Sequence, residues 1–391
     1  MTPGARMAAA IEVLEHVERD PAPADRILAA WGRGHRFAGA KDRAAIADHV
    51  YDMLRRRRSL AWAAGGEGPR HAAIGLCLVS GQDPDAVFTG AGHAPPPLTA
   101  DERAALAAPR PPVPDPVRLD YPDWLDAALR SSLGDRFEPS MRAMQARAPV
   151  DLRVNALKAD LGSARAALER DGVATETVPL APMCLRAPPG APVARTAAYR
   201  DGLVELQDAA SQAAVDFAGV SPGDVVLDFC AGGGGKTLAL AAAMEGRGRL
   251  VAHDASPRRM ADLPARLARA GARAEIAGPE ALERLRGRCD VVFIDAPCSG
   301  SGSWRRDPAG KWRLTAAALA DVAAVQARIL RSALAYLRPG GAAVYATCSM
   351  LSAENEAVVA KVSEARAVRM MSLAPSDGCG GFFAAMLARG D

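Results

Sequence analysis

The stretch VVLDFCAGGGGKT, Val225–Thr237, decides the fold. A β-branched apolar run leads through a cysteine and four consecutive glycines into a pattern that opens a helix. Glycine lets the backbone pass close to a ligand, and the N-terminus of the following helix presents unpaired N–H groups to it. Two phosphate-binding loops are excluded by spacing. A G-x-x-x-x-G-K-[ST] loop ending in Gly235-Lys236-Thr237 needs glycine at 230, where Cys230 stands. A G-x-G-x-x-G fingerprint counted from Gly232 ends on Thr237.

Outward from this loop, strand and helix alternate. RLVAHD reads as a second strand, followed by a helix over 257–270. DVVFID is a third, followed by a loop and a long helix over 315–337. AAVYAT is a fourth, ENEAVVAKVSEAR a further helix, and FFAAMLA the last strand. Such alternation predicts an α/β, Rossmann-like unit with a mostly parallel sheet covered on both faces. Ligands of open parallel sheets bind beyond the carboxyl ends of the strands. Asp228, Asp254, Asp295 and Thr347 fall at such ends. An acid closing the first strand, then glycines, then an acid closing the second to hold ribose hydroxyls is the layout of an S-adenosylmethionine loop. Asp228, the Cys230–Ala231–Gly232–Gly233–Gly234 segment and Asp254 fit it.

Towards the N-terminus the period changes. Residues 5–80 carry helical spacing, with prolines at 21 and 23 closing the first helix. APRPPVPDPV (108–117) cannot continue a helix and reads as a linker. PDWLDAALRSSL opens another helix. VDLRVN, SARAALERDG and TETVPL then suggest strand, helix and strand, a small α+β unit closing near GLVELQ. The expected domains are 1–117, 118–210 and 211–391.

Composition sets outer bounds. The 391 residues carry 48 Lys+Arg against 45 Asp+Glu, a net +3 that permits a polyanionic partner without demanding one. Seven cysteines without CxxC spacing argue against a zinc site and for a reducing, cytoplasmic setting. No metal is expected. Neither a secretory leader nor a membrane span is expected either, because no apolar run has the required length. RRRR (55–58) reads equally well as a solvated helix end or as a contact to RNA phosphates. Arg305, Arg306 and Lys311 are expected to meet phosphates.

Two cysteines stand apart from the others. Cys298 lies in DAPCSGSGSW and Cys348 in YATCSM, each just after a strand that ends at the expected cleft. Two thiols beside a methyl donor suggest covalent catalysis. Carbon 5 of cytosine is a poor nucleophile. A thiolate that adds to carbon 6 makes the ring an enamine, which attacks a methyl sulfonium. An acid near ring nitrogen 3 stabilises the developing charge, and loss of the carbon 5 proton expels the thiolate. The base must be unpaired or extruded for this chemistry.

LRVNALK (152–158), ELQDAASQ (205–212), LDFCAGGGGKT, DAPCSGSGSWRRDP and YATCSMLSAENE resemble the RNA 5-cytosine methyltransferases of the Sun/Fmu (RsmB-like) and NOL1/NOP2 group. The resemblance covers about residues 120–360. It implies a class I methyltransferase with a seven-stranded sheet, S-adenosyl-L-methionine as cofactor, and structured RNA, above all 16S rRNA, as partner. It implies Cys348 as nucleophile, Cys298 in product release and Asp295 on the cytosine ring. Asp228, Lys236 and Asp254, with Arg259, would surround cofactor or target. FAGAKDRAAIADHVYDMLRRRRSL is similar to the NusB-like helical extension of the bacterial ribosomal members. A monomer is expected. The chain departs from the group where EIAGPE lacks the usual acid after the third strand, leaving backbone or Glu280 for the adenine. The competing readings are a tRNA cytosine methyltransferase, a DNA cytosine methyltransferase and a non-catalytic RNA-binding protein on a relic cofactor fold.

Overall fold

Burial alternates along the strands and assigns each residue to one face of a sheet. Val226, Phe293, Val344 and Ala346 join one apolar cluster, while their neighbours Leu227, Val292, Ile294, Ala343 and Tyr345 join another. A sheet buried on both faces results. The computed structural model describes residues 1–389 and divides them into two units. One comprises Met1–Arg130, Gly134–Arg147 and Trp304–Leu314; the other comprises Ser131–Leu133, Ala148–Ser303 and the chain from Thr315.

The second unit holds two sheets. The smaller contains β1 (Val150–Val154), β2 (Glu176–Thr177), β3 (Cys184–Ala187) and β4 (Val204–Leu206) in the order β2-β3-β1-β4, all antiparallel. Helix Leu161–Arg170 packs Ala164 and Leu168 against Leu152, Val154 and Leu185. TETVPL contributes only its two residues of β2, because Pro179 has no N–H for a ladder. β3 was not expected: its four residues lie between Pro182 and Pro188 and show no clear period.

The larger sheet contains β5 (Val225–Asp228), β6 (Arg249–Ala252), β7 (Glu275–Ile276), β8 (Cys289–Asp295), β9 (Leu337–Thr347), β10 (Ala365–Leu373) and β11 (Phe382–Arg389). Their order is β10-β11-β9-β8-β5-β6-β7. β5 to β9 pair in parallel, and β10 and β11 add an antiparallel edge. The sheet is therefore seven-stranded and mostly parallel, the class I methyltransferase arrangement. Two helical expectations fail here. ENEAVVAKVSEAR is helical only over Glu356–Ala360, and from Ala365 the chain becomes β10. Ladder pairing with β11 outweighs the modest helix preference of this alanine-rich segment. The segment 257–270 splits into a 3-10 turn, Pro257–Met260, and a helix, Leu263–Ala270, because Pro264 supplies no donor to a continuous helix.

In the other unit, helices Pro3–Arg19, Ala24–Gly34, Ala40–Arg55, Arg57–Ala64 and Gly68–Val79 share one core. Met7, Ala10, Leu14 and Val17 meet it at helical spacing, with Ile46, Val50, Met53 and Leu54 from the third helix. RRRR corrects the sequence reading. The third helix ends at Arg55, and Arg56 (φ −117°, ψ 32°) breaks it before the next begins. Arg55 is only 5% exposed and donates to the Arg305 carbonyl and to Asp52. Arg57 pairs with Glu18 at 2.9 Å and Arg58 with Asp123 at 2.8 Å. Arg55, Arg57 and Arg58 are thus each tied to a carboxylate of their own unit at a helix junction. Lys311 is a second correction. It is 1% exposed, and its ammonium donates to the Arg55 carbonyl at 3.0 Å. Burial lowers its pKa to about 8, so it is no surface phosphate ligand. Arg305 donates to the carbonyls of Ala146 and Arg147.

Candidate active site

The glycine loop owes its shape to two positive φ angles. Gly232 has φ 51° and Gly234 φ 83°, and a Cβ on Gly234 would run into the Leu263 side chain. The turn feeds helix Gly235–Ala243, whose Lys236 and Thr237 bond to Asp295 and Asp228 at the strand ends. Asp254, just beyond β6, accepts from the Gly232 N–H at 2.9 Å and the Ser256 N–H at 2.8 Å, and pairs with Arg259 at 3.1 Å. Gln207 reaches the Gly235 carbonyl from the other side. Glu280 sits in the first turn of helix Pro279–Glu283 and is exposed.

Asp228 closes β5 and is fully buried. One carboxylate oxygen accepts from Thr237 Oγ1 at 2.6 Å, and the other has no partner. Burial raises its pKa to about 7, with the neighbouring Asp295 and Asp254 adding to the rise. A buried acceptor without a donor is costly, and this one closes the strand that leads directly into the glycine loop. These residues fit S-adenosylmethionine. Asp228, the backbone of Cys230–Gly234 and Asp254 would hold it.

The same shift makes a stability prediction. The folded-state pKa of Asp228 lies above its unfolded value near 3.8. The folded protein therefore binds the extra proton between about pH 4 and 7, and stability falls as pH rises through that window. Three units correspond to at most about 4 kcal/mol. Asp228→Asn should flatten the fall, so the gap between variant and parent melting temperatures should widen in the variant's favour from pH 5 to pH 8. Parallel melting curves across this range would contradict the assignment.

Where β8 and β9 end side by side, the two singled-out thiols meet. Cys298 Sγ and Cys348 Sγ are 3.3 Å apart. Beneath them Lys236 Nζ donates to Asp295 Oδ2 at 2.9 Å and to Ser211 Oγ at 3.3 Å, and lies 5.3 Å from the centre of the Phe382 ring. The thiols do not share their proton evenly. The hydrogen bond between the sulfurs pulls Cys348 below the ordinary thiol value, against burial and the Asp295 charge and with help from Lys236. The same bond, with burial, pushes Cys298 well above it. The contact therefore favours charge on Cys348 over charge on Cys298. Burial favours neutral Lys236, but Asp295 more than offsets this and holds the ammonium. The remaining cysteines differ. Cys77, Cys184, Cys289 and Cys379 are buried, with pKa values raised by burial to about 11 or 12. Cys230 is likewise raised to about 12.

Backbone ties hold both thiol loops. The Gly302 N–H donates to the Cys348 carbonyl at 2.9 Å, and the Gly381 N–H to the Gly302 carbonyl at 2.9 Å. A Cβ on Gly302 would collide with the Gly381 carbonyl. Sequence reasoning missed Ser211, Gln207 and Glu354, although ELQDAASQ and SAENE contain them. No local pattern marks a polar residue whose partner lies dozens of residues away.

Residues 219–381 match the family described as 16S rRNA methyltransferase RsmB/F, and residues 121–194 match its ferredoxin-like domain. Ribosomal RNA small subunit methyltransferase B of Klebsiella pneumoniae is 32% identical over 247 residues, 62% of this chain and 57% of that protein. The chain thus spans little more than half the length of that relative. The Serratia proteamaculans protein of the same name is 30% identical over 69% of this chain and 67% of its own. A methyltransferase homolog from Pyrococcus horikoshii shares the fold with a TM-score of 0.61 and 26% identity, over 70% of this chain and 97% of that one. The chain belongs to the RsmB/F methyltransferase family, on the fold of class I S-adenosylmethionine-dependent methyltransferases.

Proposed function

We propose that this protein methylates carbon 5 of cytosine in structured RNA, with 16S rRNA as the substrate, in the cytoplasm. The observation that carries the reading is the pair of cysteine sulfurs 3.3 Å apart at the ends of two adjacent parallel strands, next to a Lys–Asp pair. S-adenosylmethionine supplies a methyl carbon activated on a sulfonium. Cys348 adds as thiolate to carbon 6 of the ring, forming a carbon–sulfur bond. Asp295, on the cytosine ring, passes a proton drawn from the Lys236 ammonium to nitrogen 3 and so neutralises the charge that the addition develops there. Carbon 5 takes the methyl group as the methyl–sulfonium bond breaks and S-adenosylhomocysteine leaves; carbon 5 then loses its proton to a base, and that electron pair re-forms the ring double bond and expels Cys348 as thiolate. Cys298 assists that release. The names of the relatives support rRNA as the substrate.

Two measurements test this. Isothermal calorimetry should give S-adenosylmethionine binding that Asp254→Ala weakens by about 10- to 100-fold, the worth of a charge-assisted hydrogen bond. Absence of binding to the parent protein would return the chain to a non-catalytic RNA-binding role. Bisulfite mapping of RNA from cells with and without the gene should reveal a 5-methylcytosine in 16S rRNA that depends on it. Methylation confined to tRNA would redirect the substrate while leaving the chemistry intact.

A further inference from the structure

Glu354 follows the second thiol loop and is fully buried. One oxygen accepts from the Ser299 N–H at 2.7 Å and from Gln326 Nε2 at 3.1 Å. The other accepts from the hydroxyls of Ser299 and Ser349 at 2.5 Å each. Ser299 directly follows Cys298, and Ser349 directly follows Cys348. Gln326 also donates to the carbonyl of Pro297, the residue before Cys298, at 2.8 Å. Ser301 Oγ closes the set, 3.0 Å from Ser349 Oγ and accepting from the Met350 N–H at 2.8 Å. The glutamate is itself pinned by Tyr345, whose hydroxyl donates to its carbonyl at 2.6 Å. One carboxylate therefore grips the residue after each cysteine. The grip costs the removal of a charge from water, which is stable only because four donors satisfy it.

We propose that Glu354 is a positioning residue: it ties the Cys298 and Cys348 loops together and so sets the sulfur–sulfur contact on which the nucleophile depends. The inference rests on the proposed cytosine chemistry for its consequence, but not for its geometry. Glu354 does not reach the sulfurs through a hydrogen bond. It acts through Ser299 and Ser349. Its charge works in the opposite direction. The groups facing Cys348 are Cys298 and Lys236, which favour the thiolate, and Asp295 and Glu354, which oppose it. Position and charge therefore predict opposite outcomes when the charge is removed.

Glu354→Gln keeps the size, removes the charge and sets an amide donor against donors already in place. In the full chain, without RNA, the pH dependence of iodoacetamide alkylation at each cysteine is read by peptide mass spectrometry. If Glu354 positions the loops, the Cys348 midpoint moves up by about one unit. Its alkylation at pH 7 then slows about tenfold. In turnover, kcat should fall by up to about 100-fold, the cost of about 1 Å of misplacement, with KM for RNA little changed and part of kcat recovered at high pH. A midpoint that moves down means that Glu354 acts only through its charge, and overturns the proposal. So does an unchanged midpoint accompanied only by a lower melting temperature. Should Glu354→Gln fail to fold, Ser349→Ala removes one arm and should shift the Cys348 midpoint in the same direction by less; no shift there is equally contrary. Because alkylation needs no RNA, a parent protein that fails to methylate cytosine would sink the proposed function while leaving this test readable.

Discussion

Cys348→Ala should lose methyl transfer altogether, by on the order of 10⁴-fold or more, the scale on which removal of an enzyme nucleophile is felt. The expectation follows from the sulfur pair. Cys348 lies 3.3 Å from Cys298 Sγ, and that contact and the Lys236 ammonium both favour its charged form. A thiolate is the reactive species, and its pKa decides how much is present. The parent should therefore gain rate with pH up to a midpoint below the ordinary thiol value. The variant should bind S-adenosylmethionine and RNA as the parent does, because the sulfur is small and the glycine loop and Asp254 are untouched. Retained turnover in Cys348→Ala, measured as labelled methyl incorporated into rRNA, would end its role as nucleophile.

Cys298→Ala should do something different: it should leave a covalent protein–RNA complex that survives denaturation. Here the nucleophile remains and the step that frees it is impaired. A denaturing gel with labelled RNA should show the band in this variant and not in Cys348→Ala. The pH dependence of its appearance should also move. Without the Cys298 sulfur, Cys348 loses the strongest interaction holding its value down, and adduct formation should shift to higher pH. A band in Cys348→Ala instead would mean that the two roles are reversed.

The strand ends were legible because four features coincide there. Each of Asp228, Asp254, Asp295 and Thr347 follows a short apolar run at the point where a parallel strand must stop, so topology places them on one side of the sheet. The meeting of Cys298 and Cys348, 50 residues apart, follows from β8 and β9 being neighbours. The arginine-rich features were not legible. A run such as RRRR looks the same whether its guanidiniums face water or carboxylates, and only the partners Asp52, Glu18 and Asp123, distant in the chain or one turn away, decide it. Lys311 misled for the same reason, since a buried lysine is rare enough that sequence favours exposure. β10 was hidden by alanines and arginines that suit a helix, and only the free edge of β11 makes it a strand. Glu354 lay in a quoted stretch, yet its partners come from three segments that no spacing rule connects.

The covalent bond itself is the most direct test. RNA carrying 5-fluorocytosine at the target, incubated with the parent protein and S-adenosylmethionine, leaves no carbon 5 proton to remove and should arrest the enzyme on its adduct. After digestion, mass spectrometry should find the modified base on the peptide containing Cys348. A base attached to the Cys298 peptide, or no adduct while ordinary cytosine is methylated, would contradict the account.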